Sequence, residues 1–539
     1  MESAKKLAAG ILLLVIVLAV YLWFPLPGYR RWDGLMTASA LRAWKEIPGS
    51  LIFFFAHPLV IPITKLFALV TPFKDPYFIG VFREAVFGAL NALLLFWVLS
   101  RLIKRLFPAF LASLSFAFCY GNLWSVGFGE EKEVALFWVN LFLILFLICK
   151  GELEPPGFMK NKWFQKQRHH LLGILLALAL ATHIGNVLLI PFYLFSLLPD
   201  KKANLKQTVY QALEVLLTAG IITLIFYSFI LFYVNGVRSF DGITAFFTEY
   251  QSQFFKTDYR FFKQLTSFYT GFRSLLFGPR PLGIRDFGFP AMECGVLLAF
   301  LPRVLSVSYR NNKALTRCLT VFLAVMFCYY FSWEPWSAES WLNSSFVVFM
   351  LLALFFKGNK TASGENYAWT FLLGIILLGN FLNYRAEGKR LSPALSLKAS
   401  PPQHYHPLEK RLWNSTPLRK IVSKTDKLAK DHSLVLLDNR FAASYFQLYY
   451  PQTPIVIRYL DHSPEYLRGK MRLSNLSRYF YTPKLTSAQI RKAADQGERI
   501  YLLTNSPKTL RTVRWKLKLK PIQEKTIGKS RYRLYRLGK

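Results

Sequence analysis

MESAKKLAAGILLLVIVLAVYLWFPLPGYRRWDG (residues 1–34) decides how the rest of the chain is read. Lys5 and Lys6 precede an apolar run that continues through Trp23 without a small-residue cleavage site. This combination predicts a retained anchor helix over residues 7–24, with its lysine-bearing start in the cytoplasm. Pro25-Leu26-Pro27-Gly28 ends the helix, because proline removes a backbone donor and glycine has poor helical propensity. Arg30-Arg31-Trp32-Asp33-Gly34 is then the first segment displayed on the far side of a membrane. Trp and Arg suit the interface and Asp suits a helix cap, but a carboxylate at that position also suits chemistry.

Outward from the anchor, Phe-rich apolar runs recur as far as residue 383. Of the 539 residues, 53% are hydrophobic and 50 are Phe, a composition that points to a polytopic membrane protein rather than a soluble one. The net charge of +37 is concentrated after residue 383. Cys119, Cys149, Cys294, Cys318 and Cys328 lie in or beside apolar runs with no CxxC spacing, which argues against a disulfide framework or a cysteine zinc site.

The runs divide the chain as follows. Residues 51–70 carry His57-Pro58 and Pro62, and fit a segment that dips into the membrane better than a straight span. Further spans are expected over residues 78–99, 107–120 and 134–149. Two short runs, 171–181 and 184–198, are hinged at Thr182-His183, and spans follow at 209–234, 291–305, 319–333, 341–356 and 367–383. About eleven crossings put every short basic loop, such as residues 150–170, on one side. Asp33, an acidic cluster around Glu130, His183, a long loop over residues 235–289 and Glu334 then fall together on the outer face. Residues 1–383 form the membrane domain in this reading, and residues 384–539 an outer one.

The outer part has soluble character. Short strands at residues 433–437, 455–457 and 500–504 alternate with helices at 442–450 and 487–496, which suggests a small α/β domain. It has no GxGxxG or P-loop and therefore no expected nucleotide site. Outside a membrane, its basic surface meets anionic lipid headgroups rather than nucleic acid.

Several constellations could carry chemistry. Trp124-Ser125-Val126-Gly127-Phe128-Gly129-Glu130-Glu131-Lys132-Glu133-Val134 opens a membrane helix with three carboxylates. One acid would complement the helix dipole, whereas three crowd one another and suit an acid–base or cation site. His57 and His183 stand at breaks near the outer face, where a histidine either packs through hydrogen bonds or takes part in a site. The loop over residues 235–289 mixes Lys256, Arg260, Lys263, Arg273, Arg280 and Arg285 with aromatics, a mixture suited to phosphate and to a sugar or isoprenoid. Trp333-Glu334-Pro335-Trp336 caps a span within an aromatic belt. Arg83-Glu84 lies several residues inside a span. A bare charge there costs at least about 2.5–3.5 kcal/mol, so the two are expected to pair or to line a polar cavity.

The order of these features resembles the GT-C glycosyltransferases, membrane enzymes that take sugars from polyprenyl-phosphate carriers. Asp33-Gly34 with His57-Pro58-Leu59 is similar to the first loop of the group related to protein O-mannosyltransferases. Trp124 with Glu131 or Glu133-Val134 looks like that group's Trp…Glu-Val-Tyr motif, and Thr182-His183 like its mid-chain His; a looser echo covers residues 333–341. Two departures stand out: no Pro-Gly-Tyr-Pro follows the His-Pro, and Ala135 stands where the Tyr would be, so the second acid stays open between Glu131 and Glu133.

The resemblance implies an α-helical polytopic GT-C fold that transfers a sugar to a protein, lipid or glycan acceptor. Asp33 would be the base, a role worth about a hundredfold to ten-thousandfold, and basic residues such as Arg280 and Arg285 would hold the leaving phosphate. Trp124, His57, His183 and Trp333 would line the substrates. A divalent cation is possible at Asp33 and Glu130. The high Lys content and the anchor favour a bacterial plasma membrane, with the C-terminal part extracytoplasmic. A lipid transporter or flippase would instead place its charges along a path in two matched halves. A polymerase or ligase of lipid-linked glycans would differ mainly in its acceptor.

Overall fold

The structure is a computed structural model. It describes residues 2–23, 57–129, 131–197, 205–234, 304–333, 341–357, 417–428, 433–437, 455–457, 487–497, 499–504, 517–527 and 533–538, with isolated positions between them. The anchor is helix α1 (Glu2–Trp23), and it lies against α3 (Pro76–Leu102). Asp75 starts α3 by accepting the Tyr77 N–H at 3.0 Å, and Pro76 takes the first-turn position where no donor is needed. Before it comes the short α2 (Val60–Val70), whose 11 residues are too few to span a bilayer and fit the expected dip.

The next segment departs from expectation. α4 (Leu106–Ala117) is followed after a 51° bend by α5 (Tyr120–Phe128), so Trp124 sits on a helix rather than in a loop. The glycines around it suggest a loop, but Leu123 and Val126 are buried at helical spacing, and that packing prevails. Gly129 closes α5 in the left-handed conformation at φ +61°.

α6 (Lys132–Cys149) returns through the bundle, and α7 (Lys162–Thr182) begins where Asn161 accepts the Phe164 N–H at 2.7 Å. The basic stretch expected as a loop is therefore partly the first turns of α7. After His183, a 3-10 turn (Ile184–Leu188) leads into α8 (Leu189–Leu197), which preserves the expected hinge. α9 (Leu205–Ser228) ends in a π-helical turn (Phe229–Val234), and α10 (Lys313–Trp333) and α11 (Leu342–Lys357) complete the described bundle.

Among the described residues, five helices are long and apolar enough to cross a membrane, or six if the bent α4–α5 pair is one span. The spans expected at 291–305 and 367–383 lie mostly outside the described residues. Phe116, Phe142, Phe146, Phe192 and Phe322 are fully buried, and several meet edge to face, with Phe146–Phe192 centroids 5.4 Å apart and Phe192–Phe322 5.1 Å apart. Leu213, Leu217, Leu224 and Ile225 of α9 are exposed instead, as suits a lipid-facing helix.

The carboxy-terminal part holds α12 (Pro417–Leu428), β1 (Ser433–Leu437), β2 (Ile455–Ile457), α13 (Ser487–Asp495), β3 (Arg499–Thr504), β4 (Lys520–Thr526) and β5 (Arg533–Gly538). The sheet order is β2-β1-β3-β5-β4, with β1 parallel to β2 and β3, and β5 antiparallel to β3 and β4. The sequence reading finds β1–β3 and misses β4 and β5. β4 is an edge strand with its side chains largely in solvent, so it lacks the apolar alternation that marks a strand. The helix expected at 442–450 lies outside the described residues. One sheet face, with Val435, Leu437, Leu503 and Leu534, shares an apolar cluster with Ile421 and Val422 of α12 and with Phe73, Tyr77 and Phe78 at the start of α3. The sheet thus rests on the same end of the bundle as the α2–α3 turn.

Candidate functional site

Three chain breaks meet at one end of the helices. His57 precedes α2, and its carbonyl accepts the Val60 N–H at 3.1 Å. Two residues on, the Leu59 N–H reaches Ala181 O at 2.9 Å, which ties this turn to the end of α7 and so to His183. Glu131 stands just before α6. His57 Nε2 lies 3.4 Å from Glu131 Oε1, and the two imidazole rings are 4.8 Å apart at 44°. One ligand atom from each of His57, Glu131 and His183 falls within 4.8 Å of the other two, and this is the one such group of three among the described residues.

Lys132 closes the cluster. Its Nζ is 3.1 Å from Glu131 Oε1 and 3.0 Å from His183 Nε2. On its other side, His183 Nδ1 accepts the Gly185 N–H at 3.0 Å. Both ring nitrogens therefore face N–H groups; a neutral imidazole can accept from one of the two at a time, and an imidazolium, which donates from both, is disfavoured there. The ring lies at the break between α7 and the 3-10 turn. Its desolvation, then Lys132, then His57 hold it well below the ordinary histidine value, in the neutral form.

The resemblance leaves a divalent cation possible at Asp33 and Glu130, which lie outside the described residues; the described donors that could hold one are these three. Two imidazoles and a carboxylate at mutual ligand distance suit zinc or another borderline metal better than magnesium or calcium. The Lys132 ammonium stands between two of the donors on a flexible and partly exposed side chain, which can swing aside. The residues would fit the group once Lys132 swings aside and His183 carries its ring proton on Nδ1, which gives up the Gly185 N–H and frees Nε2 to ligate.

Glu133 is placed differently. Residues two apart do not share a helix face, and its carboxylate points into the packing, where Oε2 accepts Asn91 Nδ2 at 2.9 Å. Asn140 Nδ2 continues the chain to Asn91 Oδ1 at 3.0 Å. The side chain is fully enclosed, and Oε1 has no hydrogen-bond partner among the described residues.

Arg83 and Glu84 pair, as expected for charges at that depth: Arg83 Nη2 is 2.7 Å and Nε 2.9 Å from Glu84 Oε1. Trp124 is half-buried on α5, its ring 5.5 Å from that of Tyr120. Trp333 ends α10, while Asp33, Glu130, Arg280 and Arg285 lie outside the described residues. The sequence reading named His57, His183 and Glu131 separately and missed Lys132, whose signal was its place inside the acidic run.

Solved structures share this fold. ArnT from Cupriavidus metallidurans bound to undecaprenyl phosphate matches over 98% of this chain and 97% of its own, with TM-score 0.59 and 11% identity. The apo form matches over 100% and 98%, with TM-score 0.57 and 10% identity. The archaeal oligosaccharyltransferase AglB from Archaeoglobus fulgidus, in complex with an inhibitory peptide and a dolichol-phosphate, covers 95% of this chain and 71% of its own, with TM-score 0.50 and 14% identity. No protein-family model matches the chain, and no curated protein does. These neighbours are GT-C glycosyltransferases, so the GT-C fold stands, without singling out the O-mannosyltransferase-related group, and the chain is a multi-pass membrane protein.

Proposed function

We propose that the chain is a membrane glycosyltransferase that moves a sugar from a polyprenyl-phosphate donor to an acceptor on the extracytoplasmic face, with its working site at the His57–Glu131–His183 cluster. The carrying observation is the convergence of those three side chains and Lys132 at one end of a GT-C bundle. Asp33 is the base in this reading, a role that rests on the family resemblance of the first outer loop. Glu131 rather than Glu133 is the second acid, because Glu131 faces the cluster and Glu133 is spent on Asn91.

In the transfer, the acceptor hydroxyl loses its proton to Asp33, and its oxygen bonds to the anomeric carbon. The bond from that carbon to the carrier phosphate oxygen breaks, and its electron pair leaves with the polyprenyl phosphate. Lys132, with Arg280 and Arg285 of the long loop, supplies positive charge where the phosphate gains it. His57, Glu131 and His183 would hold a divalent ion, whose contribution is Lewis-acid compensation of phosphate charge. Sugar and acceptor, whether protein, lipid or glycan, are set by parts of the chain beyond the cluster.

The test supplies purified protein with a labelled polyprenyl-phosphate sugar and follows release of polyprenyl phosphate. The wild type should consume the donor, and Asp33→Asn should insert and fold but consume almost none. Wild-type-like turnover by Asp33→Asn would remove Asp33 as the base.

A further inference from the structure

Arg83 and Glu84 sit on the third turn of α3, both with no exposed surface, and between them they reach three other segments. Arg83 Nη1 donates to Thr64 Oγ1 on α2. Arg83 Nη2 donates to Gly129 O at 3.1 Å. Glu84 Oε2 accepts the Glu133 N–H at 2.7 Å. Gly129 and Glu133 bracket Glu131 and Lys132, so the strip that presents the acid is held at both ends by neighbouring residues of one helix. Thr64 is equally well placed, because its Oγ1 donates to Val60 O at 2.6 Å and Val60 N bonds to the carbonyl of His57. The pair therefore grips both the histidine side and the acid side of the cluster.

The backbone approach agrees. A Cβ on Gly80 would lie 3.1 Å from Gly129 O, and one on Gly129 would lie 2.9 Å from Val81 N, so the strip is pressed against α3 itself. A buried ion pair is weak as a device for stability, since apolar residues of the same volume often serve as well or better. It is strong as a device for geometry, because a forked guanidinium fixes several acceptors in one plane.

We propose that Arg83–Glu84 is a positioning pair that sets the separation of His57 and Glu131, and through it the working geometry of the cluster. Neither residue touches substrate. Its consequence for turnover rests on the transferase reading above, whereas its consequence for distance does not.

The experiment is a set of cryo-EM structures, in lipid nanodiscs, of wild type, Glu84→Gln and Thr64→Val, with melting temperature and donor kinetics for each. Glu84→Gln should leave α3 and α6 superposed but lower the melting temperature, because Arg83 keeps a buried charge without its counter-charge, and it should lose the 3.4 Å His57–Glu131 contact. Its kcat should fall by about a hundredfold with donor KM little changed, since misplacement by about 1 Å costs on that order. Thr64→Val removes one leg at nearly constant volume and should shift the His57 turn alone; it decides the matter where Glu84→Gln fails to fold. An unchanged His57–Glu131 separation in the folded variants would overturn the proposal. Absence of donor consumption by the wild type would overturn the transferase reading instead and leave the distances to decide the pair.

Discussion

Glu131 and Glu133 stand two residues apart at the start of one helix and face opposite ways. Glu131 meets His57 at 3.4 Å, and Glu133 accepts Asn91 at 2.9 Å within the helix packing. The acidic run thus separates into a carboxylate that faces the histidines and one that faces the helix packing.

Glu133 should therefore matter to folding. Glu133→Leu removes the side-chain acceptor from Asn91 Nδ2, which keeps only the backbone carbonyl of residue 133 at 3.0 Å, and the second N–H left unpaired in a buried place costs about 1–3 kcal/mol. Thermal unfolding in detergent should show the loss, while Glu133→Gln, which keeps an oxygen for Asn91, should stay near wild type. Equal melting temperatures for the two variants would contradict this assignment.

The histidines should matter to cation binding. Purified wild type titrated with zinc should take up one ion, and His183→Ala or His57→Ala should weaken that uptake by more than about a hundredfold, because even outer partners of a ligand contribute tenfold to a hundredfold. Calorimetry measures it. Undiminished uptake by both variants would place the ion elsewhere.

Gly88 should tolerate no side chain. A Cβ there would lie 2.8 Å from Tyr21 Cε2, 3.3 Å from Val126 Cγ2 and 3.5 Å from Glu133 Cδ. Tyr21 cannot retreat freely, since its hydroxyl donates to Ala117 O at 2.6 Å. Gly88→Ala is expected to cost about 1–3 kcal/mol through overpacking, visible as a lowered melting temperature.

Much of the bundle was legible because apolar runs of membrane length leave few alternatives, and the cost of burying bare charges limited Arg83-Glu84 to pairing or to lining a polar cavity, of which the pair is what the structure holds. The α4–α5 bend was not legible: Gly121, Gly127 and Gly129 signal a loop, and only the burial of Leu123 and Val126 against neighbouring helices overrides that signal. His57 and His183 could each be placed at a break, but their meeting depends on the Leu59–Ala181 hydrogen bond between distant segments. Which of Glu131 and Glu133 faces His57 depends on where α6 begins, and spacing alone does not decide that. Lys132 looked like one charge among several until its ammonium was seen between Glu131 and His183.

The most direct test of the cluster as the working site is donor turnover by Glu131→Gln beside Glu133→Gln, both shown to be folded, with labelled polyprenyl-phosphate sugar and release of polyprenyl phosphate as the signal. The account predicts a fall of about a hundredfold or more for Glu131→Gln, and turnover within a few-fold of wild type for Glu133→Gln. Full activity in Glu131→Gln, or loss confined to Glu133→Gln, would contradict it.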